Sequence, residues 1–209
     1  MTAARGRGPR RTLRAGATAT LLAGLVAAVR QRREAVGAAR TGRGPERGPA
    51  GVDTAPADGG GLAARLATWT PAAPRTPAGR RLAALWAGPL TLVGAIVAVA
   101  GGGVPRYDAE RDCWIATRVR GPSAAALATV GAAANTIGRV IVVRGGAPSA
   151  ALLDHEAGHV RQAERLGPLL PVAYAWAGAV HGYAANPFER SARRAARRAA
   201  ALRTAGGGS

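Results

Sequence analysis

The sequence predicts an α+β fold. A small domain over residues 104–205, with a short sheet and two principal helices, is preceded by a hydrophobic helix at 82–103 and a low-complexity, disordered region at 1–81. Three observations carry this reading. The run Gly138 to Arg144 (GRVIVVR) is β-branched and bounded by glycines, as a strand is. Two segments with helix-start signals follow, at Pro148-Ser149 and at Asn186-Pro187. Before Leu82 the composition is dominated by Arg, Gly and Pro.

At 209 residues the chain has room for one ordinary domain and some additional material. Its formal net charge is +18, carried by 29 Arg with no Lys. Cut at Gly103, the first part is net +11 and the second net +7, so the charge is spread along the chain. The arginine-rich run of the last helix lacks interleaved aromatic residues, so nucleic acid is not the expected partner. The single cysteine, Cys113, excludes an intrachain disulfide and reads as a small buried hydrophobe.

Five arginines in residues 1–14 precede an uncharged apolar run at 15–29, an order resembling a signal peptide or short anchor. Gly37 to about Arg81 reads as a disordered linker, with a short helical patch at Leu62 to Trp69 that would lack a partner face. Leu82 to Gly103 is uncharged over 22 residues and follows Arg75, Arg80 and Arg81. That length and those flanks predict a transmembrane helix and a membrane-associated protein, at the plasma membrane. The alternative is a buried core helix containing Pro89 and several Gly. Trp114 to Val119 suggests a short strand, and the segment after Pro122-Ser123 a small Ala-rich helix.

Ser149 is placed to cap a helix that runs through AALLDHEAGHVRQAERLG and stops at Gly167-Pro168. On it His155 and His159 project from one face about one turn apart, so two imidazoles can reach one metal ion. Glu156, beside the first histidine, suits the general base that takes a proton from water acidified by the metal. Gly158 keeps the helix surface small there, which lets another backbone approach. Only three histidines occur in the chain and two lie in this motif.

A catalytic zinc has three protein ligands and an open position. Glu164, five residues past His159, is turned away from the histidine face and reads as a solvated partner of a nearby Arg. His181 lies in an apolar stretch, as a ligand, an oxyanion donor or a satisfied core residue. Glu189 stands three residues after Asn186, so it is either the third ligand or the return half of a capping box. Tyr174 and Tyr183 are available as hydrogen-bond donors to a tetrahedral intermediate. Asp154, next to His155, points about 100° away from its neighbour. The last helix, Pro187 to about Arg203, has its acid at the start and its arginines later, as the helix dipole favours. Its cationic face suits solvent or an anionic lipid surface.

HEAGH followed on a second helix by a Glu resembles the gluzincin zinc metallopeptidases. More narrowly, HEAGHVRQAERLGPLLPVAY with NPFERSAR looks like a group of small bacterial proteins with metallopeptidase signatures. The resemblance covers about residues 138–198. It implies a zincin-like domain with two metal-bearing helices, Zn2+ held by His155, His159 and Glu189, Glu156 as base, and a protein or peptide substrate. In zincin-like folds an edge strand near the active-site helix holds substrate in extended form; residues 139–144 are the candidate. A non-catalytic zinc-binding membrane protein is the alternative.

Overall fold

The computed structural model describes residues 61–206 apart from Val130. The expectations for residues 1–60, the apolar run 15–29 among them, lie outside the described residues. Three helices come first: α1 (Leu62–Thr68), α2 (Pro77–Trp86) and α3 (Gly88–Ala100). Strands β1 (Arg106–Asp108) and β2 (Cys113–Ala116), helix α4 (Gly121–Thr129), and strands β3 (Ala134–Ile137) and β4 (Val140–Val143) follow. Helix α5 (Ala150–Leu166) leads through a 3-10 turn, Gly167–Leu169, to α6 (Leu170–Ala185) and α7 (Pro187–Gly206). The fold is α+β, as the sequence predicts.

The sheet has the order β1-β2-β4-β3. The pairs β1–β2 and β3–β4 are antiparallel, and β2 runs parallel to β4 with Ile115 opposite Ile141. All four residues of β4 are buried, which is why it is a continuous β-branched run: it is covered on both faces. Because side chains alternate across a strand, Val140 and Val142 join Ala116, Val119 and Ala98 of α3 in one cluster. Ile141 and Val143 join Cys113 and Val160 of α5 in the other. Cys113 is thus the buried small hydrophobe the sequence suggests, and burial pushes its thiol up to about 11.

Several expectations need correction. Residues 82–103 do not form one helix: α2 and α3 meet at Ala87 with a bend of 66°, and no single helix among the described residues is long and apolar enough to cross a membrane. The break has a local cause, since Gly88 and Pro89 open a new helix rather than continue the old one. The second half covers one face of the sheet. Disorder to about Arg81 is also overturned for the described part. Helix α1 lies against α7, where the Ser191 hydroxyl donates to the Trp69 carbonyl and the Arg198 guanidinium to Thr70 Oγ1 at 2.7 Å, so the patch has a partner face.

Finally, residues 139–144 hold an interior strand. The edge next to α5 is β3, which the sequence reading passed over because Asn135 and Thr136 interrupt its apolar character. A two-residue loop, Gly138-Arg139, closes the β3–β4 hairpin, with Gly138 at φ 65°. Helix α3 crosses this loop so closely that a Cβ on Gly138 would sit 2.3 Å from the Thr91 amide nitrogen. Gly138→Val therefore combines a left-handed backbone with overpacking. It is expected to lower stability by about 2–5 kcal/mol in urea unfolding, with the midpoint shifted and the m-value unchanged.

Candidate metal centre

The site is built where α5 and α7 touch. Helix α5 starts at Ser149, whose hydroxyl accepts from the Leu152 amide at 3.2 Å. One turn apart on that helix, the His155 and His159 rings stand nearly perpendicular, 83° between planes, with centroids 5.0 Å apart. Helix α7 approaches at Gly158, where a Cβ would come 2.9 Å from Ala192 Cα. The small surface read from the sequence is thus what admits the second backbone.

At the start of α7 the cap and the ligand candidate are different residues. The Asn186 side chain accepts from the Phe188 amide at 3.0 Å and donates to the Tyr174 carbonyl at 3.3 Å. The Asn186 amide is occupied by the Tyr183 carbonyl at 3.3 Å. Glu189 therefore does not close a capping box; its carboxylate turns to the histidines. Oε2 lies 3.4 Å from His155 Nε2 and Oε1 lies 3.4 Å from His159 Nε2. One ligand atom from each of the three residues falls within 4.8 Å of the others.

Two imidazoles and a carboxylate are donors that suit a divalent cation, and the 3.4 Å contacts from the two Glu189 oxygens to the histidines are of the right size. Ligand atoms about 2.0–2.2 Å from a tetrahedral ion lie roughly 3.3–3.6 Å from one another. Among the described residues Glu189 Oε2 is buried with no well-formed hydrogen bond, only the 3.4 Å approach of His155 Nε2, an arrangement that favours a cation or an imidazolium beside it. The other oxygen is fixed: Tyr174 of α6 donates its phenol to Oε1 at 2.6 Å, and its ring stands 6.1 Å from that of His159.

Gln162 organises the pair of helices from behind. It is completely buried, and its amide nitrogen donates to the Phe188 carbonyl at 2.9 Å, one residue before Glu189. That bond fixes the orientation of the amide, so Oε1 faces His159 Nδ1 at 2.9 Å and accepts its proton. The Nε2 lone pair of neutral His159 is thereby turned toward Glu189 and the shared site. Sequence reasoning missed Gln162. Its signal was the spacing of three after His159, which places both on one helix face.

Glu156 is also buried, and the Thr136 hydroxyl of edge strand β3 donates to its Oε2 at 2.7 Å. Thr136 is a second residue the sequence reading passed over. Asp154 is held by Arg111 Nη2 at 2.9 Å and by Arg203, so it does not orient a histidine. Glu164 is paired with arginine as expected, but it is buried, between Arg161 and Arg139, not solvated. His181 packs its ring edge-on against Trp176 with centroids 6.4 Å apart, and is not one of the three grouped ligands. Tyr183 follows the kink at Gly182 (φ 71°, ψ 166°) and is partly buried.

Protons occupy this site when metal does not. Burial alone would lower the His159 pKa, but its contact with Glu189, the charge of Glu156 and the bond to Gln162 outweigh burial and push it up to about 9. Burial would raise Glu189, yet the two histidines and the Tyr174 phenol hold it far below the ordinary carboxylate range. Comparison of the chain with protein-family models, with curated proteins and with solved structures gives no match.

Two outcomes follow. In metal-free protein the raised His159 contributes stability that is full below about pH 6.5 and is lost as pH rises through about 9. The depressed Glu189 contributes above its ordinary value near 4.5, and that share is lost on acidification. The melting temperature without metal should therefore fall between pH 6.5 and 9, while the increment on adding metal grows over the same window, because binding displaces the His159 proton. Gln162→Leu should weaken metal binding about 10–100-fold in competition with a chromogenic chelator, with the helical circular dichroism retained.

Proposed function

We propose that this chain is a zinc-dependent metallopeptidase of the gluzincin type, hydrolysing peptide bonds in a zincin-like domain. The observation that carries the proposal is the grouping of His155, His159 and Glu189, one ligand atom of each within 4.8 Å of the others, with Glu156 on the same helix as the histidines. His155, His159 and Glu189 are the ligands in this reading. Zinc bound there supplies a Lewis acid that polarises a peptide carbonyl and acidifies water.

Glu156 then accepts the proton as the water oxygen bonds to the carbonyl carbon, and delivers it to the amine nitrogen as the carbon–nitrogen bond breaks. Thr136 holds one oxygen of that carboxylate, which restricts its rotation. Tyr174 keeps the Glu189 carboxylate oriented through Oε1, so its role is positional; Tyr183 and His181 remain the oxyanion candidates on the later half of α6. Edge strand β3, antiparallel to β4 and adjacent to α5, takes the substrate-holding role first assigned to 139–144. Membrane association belongs to this reading through the apolar helices α3 and α6.

A second reading has its own observation. The bond between Glu156 and Thr136 ties α5 to the sheet, so the motif can serve a zinc-binding protein in which metal holds a small domain together and no bond is cleaved. Metal content and turnover separate the two. Glu156→Gln should keep about one zinc per chain and lose peptidase activity by at least about three orders of magnitude. His159→Ala and Glu189→Ala should lose the zinc itself, read by plasma emission spectroscopy. Turnover retained in Glu156→Gln removes the catalytic reading, and no zinc in folded wild type removes both.

A further inference from the structure

Helices α3 and α6 are built inside out. In α3 the buried residues are small, Gly94 and Ala98, with Val97 partly buried against the same cluster as Ala98, while Leu92, Ile96 and Val99 are 64%, 59% and 63% exposed. In α6 the inner residues are Ala177 and Gly178, while Val172, Trp176 and Val180 are exposed. At about 3.6 residues per turn, Leu169, Val172, Trp176 and Val180 fall within an arc of roughly 80°, opposite Tyr174 and Gly178, with Ala177 to one side. A helix packed in water places its large apolar side chains inward. Small residues inward and large ones outward is the arrangement that suits a lipid surround.

The two faces join. The 3-10 turn Gly167–Leu169 lies against both α2 and α3, and the Trp86 indole donates to the Arg165 carbonyl at 3.3 Å. Of the 16 large hydrophobic residues exposed among the described residues, 11 lie on α2, α3, this turn or α6, and the turn is the element that touches all three helices. Exposed Arg80 and Arg81 stand at its α2 border, one turn before Leu85 and Trp86. Trp86 and Trp176, both about half exposed, are residues that settle at a membrane–water boundary.

We propose that α2–α3 and the outer face of α6 form a docking surface for an anionic lipid leaflet, lying within the interface and not crossing it. Length supports the in-plane mode: α3, at 13 residues, is roughly 20 Å long, against about 30 Å of hydrocarbon. Charge selects the occupant. A chain at +18 repels a second copy of itself, and the apolar run 15–29 is flanked by arginines on both sides, whereas anionic headgroups attract this border. Because α6 carries Tyr174 inward and Trp176 outward, it separates the metal centre from the lipid by one helix. The proposal deepens the membrane part of the proposed function and does not depend on metal or hydrolysis.

The test is flotation of the full chain with vesicles of phosphatidylglycerol and phosphatidylcholine, and with phosphatidylcholine alone. Ile96→Asp, Trp176→Asp and the control Leu202→Asp, an exposed position on α7 (74%), are compared with wild type. All three substitute exposed side chains, and circular dichroism checks that each remains folded. Wild type should float with the anionic vesicles and weaken in 0.5 M salt on the order of the Debye screening expected there. The two face variants should each lose at least about tenfold in partitioning, with the control unchanged. Absence of wild-type flotation overturns the proposal. So does flotation that neither face variant reduces, which would locate binding elsewhere, as in residues 15–29. A lipid-free dimer dissolved by Trp176→Asp would make a second copy the occupant and overturn it as well.

Discussion

The close approach of α5 and α7 is the constraint on which the centre depends. Two backbones meet at Gly158 and Ala192 because neither side chain extends beyond a methyl group. That contact places the first turn of α7 beside the histidine face of α5, so Glu189 reaches both imidazoles without extending into solvent. Gln162 then fixes the relation of the two helices by bonding to His159 at one end and to the Phe188 carbonyl at the other. The chain between them must leave α5 and return, and α6 is that return: its Tyr174 binds Glu189 and its carbonyl receives Asn186.

Apart from Glu156, held by the Thr136 hydroxyl, the acids buried around α5 separate into two kinds. Asp154 and Glu164 are neutralised by arginines brought from the β1–β2 loop, from β4's leading loop, from α5 itself and from the end of α7. Such pairs recover in attraction part of what burial costs, and removing one member leaves an isolated charge. Among the described residues no arginine pairs with Glu189. Its counter-charges are imidazoles, which can give up their protons, and a phenol, which does not change charge at neutral pH. On the proposed reading that difference makes the site exchangeable: a proton on His159 and a divalent cation held by the three side chains would answer the same negative charge.

The chemistry-bearing part of the fold was the most legible in sequence. Histidines at spacing four on a capped helix, and a Glu just inside a Pro-opened helix, are local patterns, and Ser149 and Asn186 cap as their positions imply. What sequence could not separate was Glu189 as ligand candidate from Glu189 as cap, since both need the same residue at the same place; the cap is ruled out by a tertiary fact, the Asn186 amide already bonded to Tyr183. Thr136 and Gln162 were illegible for a related reason, since their roles exist only when β3, α5 and α7 come together. The strand order was hidden too. GRVIVVR reads equally as an edge or a centre strand until its neighbours are known, and burial of all four residues of β4 decides for the centre.

The segment 82–103 shows why hydropathy alone misleads. An uncharged run of that length satisfies a membrane span and a core helix alike, and here the chain uses parts of it differently. Gly94 and Ala98 complete the core over β4, as a soluble helix would, while Leu92, Ile96 and Val99 on the same turns face outward. The sum of the run is apolar, but its direction is the reverse of an ordinary amphipathic helix. Direction, and not mean hydropathy, is therefore the property that connects this segment with α6, where the same reversal recurs beside the metal centre. Two helices distant in sequence both turn large apolar side chains outward, and both touch the 3-10 turn between α5 and α6. The core needs neither set of outer side chains for its packing, so their size calls for an explanation outside the core.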